Sequence, residues 1–81
     1  MTFAHAVESL KGGQAKKIFR AGWNGKNMWV SLQVPTADSF MTLPYLYMEY
    51  PVGHVAYPQG CRVPWLASQT DILADDWSSS L

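Results

Sequence analysis

Residues 16–34 read KKIFRAGWNGKNMWVSLQV, two short alternating stretches on either side of Asn24-Gly25. In the first, Lys16 to Ala21, Ile18 falls on one face and Lys17, Phe19 and Ala21 on the other, the period of two of a strand. Asn-Gly is the strongest short hairpin signal, because both central residues of a type I′ turn need positive φ. In the return stretch, Met28 to Val34, Met28, Val30, Leu32 and Val34 share one face; Trp29, Ser31 and Gln33 share the other. The expectation is an antiparallel hairpin with Trp29 on its more polar face, where a second layer or a subunit contact would cover it.

Upstream, Thr2 is placed to cap a helix over residues 3–11. Phe3, Ala6, Val7 and Leu10 recur at one helical face, and Gly12-Gly13 ends it through the left-handed conformation that glycine accepts. Downstream, Pro35 to Ser39 is a loop by composition, and Leu43 to Tyr50 is a strand with Tyr45, Tyr47 and Glu49 alternating against Leu46, Met48 and Tyr50. Pro44 keeps its start at an edge or strand end. Pro51 to Gly60 is turn-rich and carries His54 and Tyr57. Cys61-Arg62-Val63 is a further short strand. Ser68 and Asp71 form a capping pair for a two-turn helix, with Ile72, Leu73 and Leu66 expected to bury one side. Asp76-Trp77-Ser78 then leaves as a final short strand. The predicted class is α+β: one domain over residues 1–81, a short antiparallel β-sheet with an N-terminal helix and a short C-terminal helix.

Eighty-one residues allow one domain. With 48% hydrophobic residues the chain is no disordered tail. Only 15% of its residues are charged, against roughly 25% in an ordinary soluble domain. Four Trp, four Tyr and three Phe are more rings than so small a core holds, since a chain this short buries only about 60% of its unfolded surface. Some rings are therefore expected to face a partner subunit, a ligand or both.

Zero net charge and a pI near 6.7 argue against a DNA- or RNA-binding protein. The lysines, all within residues 11–26, form at most a local basic patch. A single cysteine, Cys61, excludes an intrachain disulfide and fits a reducing cytoplasm. His5 and His54 show no metal-ligand spacing. Apolar stretches are interrupted well before the ~18 residues of a membrane span, so no membrane is expected.

Catalysis is poorly served. Cys61 with His54 is the one imaginable nucleophile–base pair, and nothing marks an oxyanion site. No enzyme and no cofactor are therefore expected. Binding is better served. Trp23 precedes the Asn24-Gly25 turn, and Trp65 stands before the helix that begins at Ser68, whose free N–H groups favour an anion. Ser68, Gln69 and Thr70 add side-chain donors. Arg20 and Arg62 are the guanidinium groups available to clamp a phosphate. From spacing alone Trp23 and Trp65 fit a core more readily than a ligand wall, and Asp71 is better explained as a cap than as a ligand contact.

Three blocks resemble one small phage and prophage family. They are the opening helix ending in Gly12-Gly13, the run Arg20-Ala21-Gly22-Trp23-Asn24-Gly25-Lys26, and the long run from Val63-Pro64-Trp65 through Ser68-Gln69-Thr70-Asp71 to Asp76-Trp77. The chain is similar to the second Thoeris anti-defence family. Residues 35–60 depart from the family text, which leaves ligand preference least specified there. The resemblance implies a sponge that binds, without cleaving, a cyclic ADP-ribose isomer made by a bacterial TIR immune enzyme. It also implies a homotetramer with pockets between subunits, in the cytoplasm of the infected host, and for some members a separate site for cyclic dinucleotides. The resemblance implies only that a pocket exists at the matching positions; on their chemistry, Trp23 and Trp65 would stack on base or ribose. Asn24 and Asp71 would meet ribose hydroxyls or the adenine edge, Ser68, Gln69 and Thr70 the pyrophosphate, and Arg20 is a further candidate. The competing readings are a contact inhibitor of a host defence enzyme and a small hydrolase of the messenger.

Overall fold

The computed structural model describes residues 1–23 and 27–81. Among them, helix α1 (Phe3–Lys11) is followed by strands β1 (Lys17–Arg20), β2 (Trp29–Gln33), β3 (Tyr45–Tyr50) and β4 (Cys61–Pro64), then helix α2 (Gln69–Leu73) and strand β5 (Trp77–Ser80). The sheet runs β4-β3-β2-β1-β5, with antiparallel neighbours throughout. The molecule is α+β, as the sequence pattern predicts. The first four strands form a meander; α2 then carries the chain back so that β5 pairs on the free side of β1.

α1 forms where its caps and periodicity place it. Thr2 Oγ1 accepts the His5 N–H at 3.2 Å, and Gly13, just past the helix, takes φ +80°. Ala6 and Leu10 are buried, with Phe3 and Val7 packed beside them, and the helix lies on β1, β2, β5 and α2. The core is the single layer between this helix and one sheet face: Ile18, Val30, Met48 and Trp77, closed by Ala6, Leu10 and Ala15. Apolar burial of this kind contributes about 1.5–3 kcal/mol per large side chain. The outer edge of β5 is met by Met1, whose ammonium donates to Trp77 O at 2.8 Å and whose carbonyl accepts the Trp77 N–H at 3.1 Å.

Several boundaries differ from the sequence expectation. Ala21 belongs to a 3-10 turn, Ala21–Trp23, and β1 ends at Arg20. The Asn24-Gly25 turn lies outside the described residues. β2 and β3 each lose their outermost expected residues, and β3 begins just after Pro44, whose missing N–H suits a strand boundary. α2 is five residues, little more than one turn. Its expected apolar face is not buried: Ile72, Leu73 and Leu66 are all exposed, Leu66 at 92%. The buried residue of α2 is instead Asp71. A short helix held by polar contacts needs no apolar stripe, which is why the periodic reading failed there.

The register separates two sheet faces. Pairs Ile18↔Val30, Val30↔Met48 and Leu32↔Leu46 place those residues on the core side. Pairs Phe19↔Ser78, Trp29↔Glu49, Ser31↔Tyr47, Gln33↔Tyr45 and Glu49↔Arg62 place the others on the opposite side. Among the described residues no helix covers that second face.

Candidate functional site

The polar centre of the molecule is Arg20, the last residue of β1. Its Nη1 donates to Asp71 Oδ1 at 2.8 Å and its Nε to Asp76 Oδ1 at 2.9 Å. Asp76 Oδ2 also accepts the Gly22 N–H at 3.0 Å, and its carbonyl accepts the Ala21 N–H at 3.2 Å. Asp71 Oδ2 accepts the Ser68 N–H at 3.3 Å, while Ser68 Oγ accepts the Asp71 N–H at 3.1 Å, a closed capping box. The Asp71 carbonyl takes the Trp77 indole N–H at 2.9 Å. One planar fork thus ties the end of β1 to α2 and to the residue before β5, and Asp76 ties in the 3-10 turn.

The network sets its own protonation. Hydrogen bonds to Asp76 and then Asp71 hold the Arg20 guanidinium above its ordinary range. Burial pushes the Asp71 carboxyl up, but the bonds from Arg20 and Ser68 together outweigh it and hold it below the usual carboxylate range. The Arg20 bond likewise lowers Asp76, against the effect of burial. One cation faces two carboxylates, so this corner offers no net positive charge to a phosphate.

Beside the network stands an aromatic cluster. Trp23 meets Trp65 edge-on at 6.2 Å and Trp77 at 5.3 Å between ring centroids; Phe3 lies 5.4 Å from Trp77 and 6.2 Å from Trp65. These tilted and T-shaped arrangements suit the ring quadrupoles. Trp77 is 2% exposed, whereas Trp23 and Trp65 are half-buried and keep free surface. The sequence-predicted site residues Trp23, Trp65, Arg20, Ser68 and Asp71 are therefore neighbours. Arg20, Ser68 and Asp71 use their polar groups on one another. Gln69 and Thr70 are exposed on α2, and Asn24 lies outside the described residues.

Two cavities share Asn27 and Met28 in their walls. One, of about 400 Å³, is lined by Lys17, Phe19, Arg20, Trp23, Asn27 and Trp29 among others; Lys17 Nζ sits 4.2 Å above the Trp29 ring. The other, of about 590 Å³, lies between Asn27-Met28 and the segment from Tyr50 to Tyr57. Tyr50 there packs on His54 at 4.9 Å and on Tyr57 at 4.6 Å. Burial, with the neighbouring Tyr57 and Cys61, holds the Tyr50 phenol above its ordinary range. His54 Nδ1 accepts the Ala56 N–H at 3.0 Å, so its proton sits on Nε2. That Nε2 is buried and meets no partner among the described residues. The loop is fixed by Gly53 N–H to Pro58 O and Gly60 N–H to Tyr57 O, both 2.8 Å. Gly60 has φ +77°, and a Cβ there would meet Tyr50 O at 3.0 Å, so this position requires glycine.

The uncovered sheet face carries Phe19, Trp29, Tyr45 and Tyr47, with Arg62 Nε bonded to Glu49 Oε1 at 2.6 Å. Sequence reasoning had put Trp29, Tyr45 and Tyr47 on such a face. It passed over Tyr50 and Asn27. It reads Asp76 as a solvated acid near a helix end, whereas Asp76 is bonded to Arg20 and to the Gly22 N–H. The alternation of β3 does place Tyr50 on the core side, next to the turn-rich segment.

A family model for the Thoeris anti-defense 2-like domain matches residues 1–79. Thoeris anti-defense 2 of Bacillus phage SP01 is 37% identical over 83 aligned residues, covering 95% of this chain and 91% of that protein. No helix among the described residues is long and apolar enough to cross a membrane.

Proposed function

This chain belongs to the Thoeris anti-defense 2-like family, and on that premise we propose that it counters Thoeris defence as a sponge. It binds a cyclic ADP-ribose isomer made by a TIR enzyme, holds it uncleaved in the cytoplasm of the infected host, and so starves the effector of its activator. The observation that carries this reading is the family match over nearly the whole chain. The aromatic cluster supports it: Trp23 and Trp65 keep free ring surface for base or ribose, at about 1–3 kcal/mol per stacked ring. Gln69 and Thr70, exposed on α2, supply polar contacts; Asn24, a candidate from the sequence, lies outside the described residues. Arg20, Ser68 and Asp71 contribute by fixing where the rings and α2 stand. Sequestration needs affinity and slow release, not a nucleophile. Holding a sub-micromolar messenger takes a nanomolar Kd, about −12 kcal/mol.

The protein acts as a homo-oligomer, a tetramer in this reading, with each pocket deepened by a second subunit. Its accessible surface is 5674 Å², whereas a monomer of its 9.1 kDa mass averages about 4,900 Å². A standard interface takes about 800 Å² from each partner. The uncovered aromatic sheet face is the natural place for it. Cyclic dinucleotides are a further ligand class to test.

The test is recovery of the ligand: incubate the protein with cyclic ADP-ribose isomers, denature it, and chromatograph the supernatant. Intact messenger supports the sponge, and breakdown products support the hydrolase. A contact inhibitor of a defence enzyme is favoured instead by the exposed Val34, Phe40 and Leu43, of which Phe40 is 96% exposed. It predicts enzyme capture without nucleotide binding.

A further inference from the structure

The segment from Tyr50 to Tyr57 builds a defined cavity. At about 590 Å³ it lies within the size range of small-molecule sites. Its walls are the rings of Tyr50, His54 and Tyr57 with Met28 below, and Val52 and Val55 stand at its rim, 80% and 94% exposed. Aromatic walls with a few polar groups accept a flat, mostly apolar ring. One polar group is unmatched: the His54 Nε2–H, buried and without an acceptor among the described residues. A shielded donor left unpaired is costly, so an arriving acceptor is favoured there. Asn27 and Met28 line this cavity and also the neighbouring one that contains Lys17, Arg20 and Trp23.

We infer that the Tyr50–His54–Tyr57 cavity is a base-binding subsite. It takes a planar heteroaromatic base, which slides against Tyr50 as the exposed Tyr57 ring turns aside, and places a ring nitrogen on the His54 Nε2–H. The rest of the nucleotide then crosses Asn27 and Met28 towards Lys17. The inference rests on the nucleotide-sponge reading for its biological ligand, but the cavity chemistry can be tested alone. Val52 and Val55 lose their water contact on binding, which adds an apolar contribution.

The probe is adenosine 5′-monophosphate, titrated into 15N-labelled protein and followed by NMR. His54→Asn is the discriminating variant: the Asn carbonyl oxygen replaces Nδ1 as acceptor for the Ala56 N–H, while the Nε2–H is removed. Tyr57→Ala serves as a second variant, since the exposed ring is dispensable to the core. The expected result is perturbation of the Ala56 and Tyr57 amides and of the His54 imidazole signal. Affinity should fall about tenfold in His54→Asn, the loss of roughly one net hydrogen bond, with an unchanged melting temperature. Absence of shifts in residues 50–57, or equal affinity in both variants and wild type, would overturn the inference. Cyclic ADP-ribose isomers titrated in parallel separate the two claims. Messenger bound with residues 50–57 silent overturns the subsite alone, whereas the monophosphate seated here in a protein that binds no messenger supports the subsite and overturns the sponge.

Discussion

Arg20 and Asp71, fifty-one positions apart, meet at 2.8 Å between Nη1 and Oδ1, and this pair fixes the C-terminal block against the end of β1. Both side chains are largely shielded, at 17% and 13% exposure, so the pair is no ordinary surface contact. Removing Arg20 leaves two carboxylates without their cation, and removing the Asp71 charge leaves Arg20 with Asp76 alone. Arg20→Ala and Asp71→Asn should each lower the melting temperature clearly. Arg20→Lys should rescue little, because one ammonium cannot reproduce a fork bonded to two carboxylates. Thermal unfolding followed by circular dichroism checks the order. Stability unchanged in Arg20→Ala would show that the network is incidental.

The same network sets a pH dependence. Asp71 and Asp76 are held below their ordinary carboxylate range, so the unfolded chain takes up protons more readily than the native one. Their contribution is complete above the unfolded value of about 3.9 and is lost as pH falls through the depressed native values. Stability should be level from about pH 5 to 7 and decline below about pH 4. In Asp71→Asn the acid decline should be shallower. Denaturant melts across this range measure it.

Trp77 is the largest of the fully buried side chains, and its indole N–H holds the Asp71 carbonyl. Trp77→Ala should cost about 3–5 kcal/mol through the cavity it leaves, a large share of the roughly 4–12 kcal/mol stabilising a domain of this size. Ser68→Ala, which removes only a cap, should cost about 1 kcal/mol. Urea titrations compare the two. Equal losses would mean that the indole is less central than its burial implies.

How far the sequence disclosed this architecture depends on which force shaped each part. α1, the faces of β2 and β3 and the capping box follow from period and local chemistry, and they stand where Phe3-Ala6-Val7-Leu10, Val30-Leu32, Leu46-Met48 and Ser68-Asp71 place them. The apolar face assigned to Leu66, Ile72 and Leu73 was wrong, because α2 is held by Asp71 and its Arg20 partner. A bond spanning fifty-one positions leaves no trace in local spacing. The same holds for the site. Trp23 and Trp65 could be singled out as rings beside a helix start. Nothing in the sequence shows that Trp77 and Phe3 join them in one cluster, or that His54 and Tyr57 both pack on Tyr50.

The uncovered sheet face predicts an assembly defect on demand. Tyr45→Glu with Tyr47→Glu should place two charges on that face and shift the protein to monomers with its circular dichroism spectrum preserved. Size-exclusion chromatography with light scattering reads the outcome. An oligomer that survives both substitutions would move the interface elsewhere.

Trp23→Ala and Trp65→Ala should each weaken messenger binding by about 1–3 kcal/mol if their free faces stack on it. Calorimetry on variants shown to remain folded gives the answer. Undiminished affinity would return both rings to a purely structural role.

Native mass spectrometry of the protein with a panel of cyclic ADP-ribose isomers and cyclic dinucleotides tests the central claim most directly, because one spectrum reads subunit number, ligand mass and stoichiometry. The sponge account predicts a tetramer carrying intact cyclic ADP-ribose isomer. A protein that passes through the whole panel unliganded, or that carries only cleaved nucleotide, would contradict it.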